Sequence, residues 1–198
     1  MALLIGQTDG AARGRRMRGV LRVWLSLALL CASAAHGQTQ ATEVSLKSAF
    51  LYKFIHYADW PDQAFAAVQD PIAVCVVEQQ AFADALESAV SGRIAHERPV
   101  VVRRVASPSE IGGCHVLFVG ALEPERIEQL IARVSDQPTL TIGDTDGFAQ
   151  RGGMINFTRR GSRLGFEINR GAVRRAGLNL SSQLLKLAEL IPGQGGRE

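Results

Sequence analysis

The sequence predicts a single α/β domain: a mostly parallel sheet flanked by helices, finished by a C-terminal β-hairpin and helix. Three observations predict it. Short apolar runs alternate with segments of helical periodicity, the pattern of strands joined by crossover helices. Two stretches, 71–105 and 114–142, each read as strand–helix–strand, a loose duplication without visible sequence repeat. After Gly152-Gly153, two extended segments flank Arg159-Arg160-Gly161-Ser162, whose composition is that of a hairpin turn.

Each element follows from its residues. Thr42 can cap a helix to about Tyr57, with Leu46, Phe50, Phe54 and Tyr57 spaced to share one face. Asp59-Trp60-Pro61-Asp62 ends it, because proline disfavours helix in the residue before it. Pro71 to Val77 is an apolar strand. Phe82 to Val90 is a short helix with Phe82, Leu86 and Val90 on one side. Pro99 to Val105 is β-branched and extended, Ser107 to Gly113 is a turn, and Cys114 to Val119 is a second buried strand. Pro124 to Val134 is helical, carrying Ile127, Leu130, Ile131 and Val134. Thr139 to Ile142 is a strand; Met154–Thr158 and Arg163–Ile168 form the hairpin. Leu180, Leu184, Leu187 and Ile191 make the stripe of a last helix that Ser181 caps, and Gly193 to Glu198 is a frayed tail.

The first 37 residues read as a secretory signal. Arg15, Arg16, Arg18 and Arg22 form a basic region, Val23 to Ala32 an apolar run, and Ala32 to Gly37 a small-residue exit. As a helix, ten apolar residues would span only about 15 Å of the roughly 30 Å bilayer core, too little for an anchor. Met17 is an alternative start, since Met17 to Gly37 alone makes a complete signal. The expected mature domain is therefore 38–198. Removing residues 1–37 takes away five of the 22 bases and one of the 19 acids, leaving 17 against 18. A near-neutral domain gives no electrostatic reason to expect nucleic acid.

Export governs the reading of the cysteines. Only Cys75 and Cys114 outlast processing, both in apolar runs. In an oxidising compartment such a pair reads as a disulfide, with two buried thiols as the alternative. No CxxC occurs, so thiol oxidoreductase chemistry is not indicated.

Little else carries chemistry. His56, His96 and His115 lack partners at metal-ligand spacing, so no metal is expected. Asp144-Thr145-Asp146-Gly147 starts like a calcium loop. Phe148 and Ile155 stand where further oxygen ligands are needed, so it reads as a turn. No GxSxG, SxxK, P-loop or GxGxxG appears; no catalytic residue and no cofactor are expected. Arg103-Arg104 and Arg174-Arg175 read as solvated doublets. Glu167 shares a strand face with Gly165 and Asn169 and reads most simply as a surface ion pair, or else as a ligand contact.

Six motifs in order carry a resemblance. They are Ala49-Phe50-Leu51-Tyr52-Lys53-Phe54 with Trp60-Pro61; Cys114-His115-Val116-Leu117-Phe118; Leu140-Thr141-Ile142-Gly143-Asp144 with Gly147-Phe148; Gly152-Gly153-Met154-Ile155-Asn156-Phe157; Phe166-Glu167-Ile168-Asn169; and Ser181 to Ala188. Over about 45–191 the chain resembles the YfiR family of periplasmic repressors. The resemblance implies a periplasmic regulator, not an enzyme. It would bind the periplasmic domain of an inner-membrane diguanylate cyclase and hold it inactive. It implies an outer-membrane-associated lipoprotein as sequestering partner, and a homodimer. It supports Cys75–Cys114 as the structural disulfide. A second cysteine pair of the family falls on Ala149 and Asn156 here, which removes redox control through it. Partner contacts would map to Glu167, Val173 and Ile191, the last two alternatively core residues. A periplasmic small-molecule-binding module is the rival reading, and a hydrolase with an unseen motif a third.

Overall fold

The computed structural model describes residues 41–161 and 163–192. The expected signal, Ser162 and the tail 193–198 lie outside them. Contacts divide the chain into Met1–Glu43 and Val44–Glu198, and the sheet belongs wholly to the second unit.

Helix α1 covers 41–57. Thr42 is already helical and so is not the cap. The buried face also differs from the expected stripe. Ser48, Leu51, Phe54, Ile55 and, just beyond the helix, Ala58 are buried, while Leu46 is 44% exposed. The buried positions recur at three and four residues, one register away from the stripe read through Leu46.

The strands are β1 (Ala58–Asp59), β2 (Ile72–Val77), β3 (Ile94–Ala95), β4 (Arg98–Val105), β5 (Val116–Val119), β6 (Leu140–Gly143), β7 (Ile155–Arg160), β8 (Arg163–Asn169), β9 (Asn179–Leu180) and β10 (Glu189–Ile191). Eight form one sheet in the order β10-β8-β7-β6-β5-β2-β4-β3. Pairing is parallel except at β7–β8 and β3–β4. The mostly parallel sheet with a late hairpin is thus as the sequence predicts.

Helices α2 (Gln80–Val90) and α3 (Pro124–Val134) make the two crossovers. From β2 the chain steps one way to β4; from β5 it steps the other way to β6. Right-handed crossovers in opposite directions place their helices on opposite faces. Strand alternation then sorts the core. Ile72, Val74 and Val76 pack with α2's Phe82, Ala83 and Leu86. Cys75 and Val77 pack with α3's Ile127, Leu130 and Val134. The two halves are therefore not repeats of one packing scheme.

Under α1, Phe54 lies 5.5 Å from Phe157 and 5.0 Å from Phe166, ring centre to ring centre. This aromatic cluster fixes the β7–β8 hairpin beneath the helix.

The C-terminal region is more broken than the predicted single helix. Arg170–Arg175 forms a one-and-a-half-turn helix, α4, that periodicity did not reveal. Helix α5 is only Ser182–Leu187, though Ser181 caps it as expected, its Oγ accepting from Leu184 N–H. Leu180 lies in β9 and Ile191 in β10, while Leu187 is 74% exposed. Strand pairing, invisible to a helical stripe, claims both ends. β9 pairs with β1, Ala58 opposite Leu180, and β10 joins the sheet edge beside β8.

The β3–β4 hairpin is one that the sequence patterning does not announce. His96 and Glu97 form its two-residue loop at φ of 51° and 61°, values that Asn-Gly usually supplies. His96 Nε2 donates to Ile55 O at 2.9 Å, a tertiary bond that helps hold the loop there.

Candidate functional site

Two places hold the residues singled out by sequence. The first is the disulfide. Cys75 sits mid-β2 and Cys114 two residues before β5, the neighbouring parallel strand. Their Cα atoms are 5.8 Å apart and the sulfurs are bonded. Both are buried in the cluster under α3. His115, next in chain, is half-buried and structural. Its Nδ1 accepts from Ala73 N–H at 3.1 Å, so its Nε2 carries the proton and donates to Ala64 O at 3.1 Å. Phe65 stacks on the ring at 4.4 Å, and the Arg98 guanidinium lies over Phe65. Burial, with a smaller push from Arg98, holds the imidazole pKa below its ordinary value against opposing effects of Ala64 O and Asp70.

The second place is the β7–β8–β10 end of the sheet. Ile155 and Phe157 of β7 and Phe166 and Ile168 of β8 point to α1, so Asn156 and Glu167 take the other face, directly opposite each other. Glu167 is buried, not a surface ion pair. Asn156 Nδ2 donates to its Oε1 at 3.0 Å and Gln150 Nε2 to its Oε2 at 3.2 Å. Asn169, two residues on, donates through Nδ2 to Ala149 O at 2.8 Å and accepts from Ala172 N–H through Oδ1 at 2.9 Å. That second bond caps α4. The loop carrying Ala149 and Gln150 is shaped by glycines. Gly152 has φ +104°, and a Cβ on Gly153 would fall 2.1 Å from the Phe148 ring. The Asp144–Gly147 turn ends β6 as read from sequence; Asp144 accepts from Lys47 Nζ at 3.0 Å.

The predicted contact residues fall differently. Glu167 and Val173 are buried, Val173 in the α1-side core. Ile191 is half-buried on the edge strand β10, in register with Asn169. Exposed Leu187 and Leu190 precede it in sequence. Glu167 and Ile191 thus share one sheet end; Val173 packs beneath it. Sequence reasoning missed Asn156 and Gln150 as partners of Glu167. The signal was there: Asn156 is a polar residue set between Ile155 and Phe157 in alternation.

His56 is exposed, with Tyr52 edge-on at 4.7 Å and His96 at 6.3 Å. Partial burial, then the His96, Lys53 and Arg93 charges, lower its pKa. Among the described residues, no three His, Cys, Asp or Glu side chains converge as metal ligands. Nor is any described helix long and apolar enough to cross a membrane.

A family model described as YfiR/HmsC-like matches residues 44–189, nearly all of the sheet-bearing unit. A solved structure of a conserved domain protein from Vibrio cholerae O1 biovar El Tor is 14% identical, with a TM-score of 0.43. The match covers 60% of this chain and 54% of that one, so the chain spans about half the length of that structure.

Proposed function

The chain belongs to the YfiR/HmsC-like family, and on that premise we propose that it is a periplasmic regulator that binds the periplasmic domain of an inner-membrane diguanylate cyclase and represses it. The observation that carries this reading is the family match across 44–189, which takes in both the cross-linked strands and the β7–β8 hairpin and reaches the first residue of β10. The protein acts by binding rather than by chemistry. Its effect on the cyclase is bounded by its differential affinity for the inactive and active states. A homodimer bridging two cyclase subunits would favour one arrangement of their membrane helices, and an outer-membrane-associated lipoprotein would compete for the repressor.

The contact surface in this reading is the C-terminal edge. Leu190 is 46% exposed on β10, the last strand of the sheet order among the described residues, and Leu187 precedes it. Glu167 and Val173, being buried, would serve by positioning α4 and β10. Deleting the gene in its host should raise cyclic-di-GMP, and a copy carrying Leu190→Asp should fail to restore the low level while accumulating normally. An unchanged nucleotide level after deletion overturns the repressor role. Full complementation by Leu190→Asp moves the contact surface elsewhere.

A further inference from the structure

On the sheet face covered by α3, a half-open groove of about 340 Å³ lies between α3, the 151–154 segment and α4. That size suits a small ligand. Its floor is apolar: Ile131, Val134, Met154 and Ala172 are each at least nine-tenths buried. Into this floor reaches one buried polar side chain, Thr141, 2% exposed. Thr141 Oγ1 accepts from Met154 N–H at 3.0 Å, and its own hydroxyl proton has no acceptor among the described residues. A buried donor left without an acceptor is costly, on the order of 1–3 kcal/mol, unless something enters to accept from it.

The charged lining shows what that would be. Two guanidiniums, Arg151 and Arg175, line the groove against one carboxylate, Glu128. Arg151 is fixed in place. Its Nη1 donates to Asp146 O at 2.8 Å and lies 2.5 Å from where a Cβ on Gly147 would be, and its Nε is 3.9 Å from Glu128. Arg175 makes no hydrogen bond or ion pair among the described residues. The doublet that reads from sequence as a solvated face therefore sends one member to a groove with an apolar floor. Ser135, the remaining hydroxyl, already donates to Ala132 O.

We propose that this groove binds a single-chain aliphatic carboxylate, its tail on Ile131, Val134 and Met154, its head accepting from Thr141 and Arg175. An excess of guanidinium disfavours a cation, and a lone donor in an apolar floor calls for an acceptor rather than a plain hydrocarbon. The inference stands apart from the regulatory reading, which uses the exposed edge residues Leu187 and Leu190, neither of which lines the groove.

The test is titration of the purified protein with decanoate, followed by calorimetry and by the methyl resonances of Ile131, Val134 and Met154. Saturable one-to-one binding with shifts at those methyls is expected. Arg175→Glu should weaken it at least ten-fold, and decanol should bind at least ten-fold more weakly than decanoate. Ala132→Trp, which places a ring at the exposed rim, should abolish binding; circular dichroism checks that both variants fold. Absence of saturable heat, shifts confined to other methyls, equal affinity for decanol, or unchanged affinity in Arg175→Glu each overturns the proposal.

Discussion

In the β4–β2–β5 part of the sheet, β2 and β5 are wholly buried and apolar, helices cover both faces, and a disulfide ties the strands. In the β7–β8–β10 part, one face is equally apolar, but the other buries Asn156, Glu167 and Asn169. The difference separates stability from specification. Apolar burial and a cross-link hold a fold together without caring much about detail. A buried carboxylate served by two amides contributes little net stability but tolerates only one arrangement. Because Asn156 stands directly opposite Glu167, a one-residue slip of the hairpin would turn both toward α1's aromatic rings. The polar pair thus fixes the register of the strand on which β10 is laid.

The largest expected effect breaks the dry half. Replacing Cys75 and Cys114 together by Ser reopens a loop of sequence separation 39. In the chain-entropy model this costs about 4 kcal/mol. Urea unfolding of the double variant should show that loss, and wild type with reductant should approach it. A shift below about 1 kcal/mol would mean that apolar packing alone secures this half.

A smaller effect sharpens the polar half. Asn156→Ala leaves Glu167 Oε1 without its donor and should cost about 1–3 kcal/mol. Asn156→Leu combined with Glu167→Leu removes both partners and should cost clearly less than the two single changes added together. Additive losses in urea midpoints would show that the two side chains do not act as a pair.

The smallest effect concerns pH at the seam beside the disulfide. The folded pKa of His115 lies below its unfolded value of 6.5, chiefly through burial. Its contribution to stability is therefore complete above that value and is lost as pH falls through 6.5 toward the folded pKa. The thermal midpoint should drop between pH 7.5 and 5, and His115→Gln should flatten part of that drop. The variant difference isolates His115 from His56, whose lowered pKa acts in the same direction. Identical slopes in wild type and variant would assign the pH response elsewhere.

How legible each half was follows from the same contrast. The buried strands and α3 could be read closely, because unbroken apolar runs and a regular stripe over Pro124–Val134 are local signals. The register of α1 is not legible from large residues such as Leu46, because its buried face includes Ser48, whose hydroxyl bonds to Val44 O. The short strands β1, β3, β9 and β10 left no periodic trace; pairing across the fold makes them strands. The burial of Glu167 leaves no trace in spacing, since its amide partners come from a loop and a neighbouring strand that spacing does not connect.

One feature of the fold also orders its assembly in time. β1 pairs with β9, and Ser181 N–H bonds to Tyr57 O, so the segment leaving α1 is clasped by residues more than a hundred positions later in the chain. Any machine that delivers this chain from its amino end presents both cysteines long before Leu180 emerges. The covalent tie can close once Cys114 is available, whereas the clasp must wait for Leu180 and Ser181, so truncations before Asn179 should leave α1 unlatched.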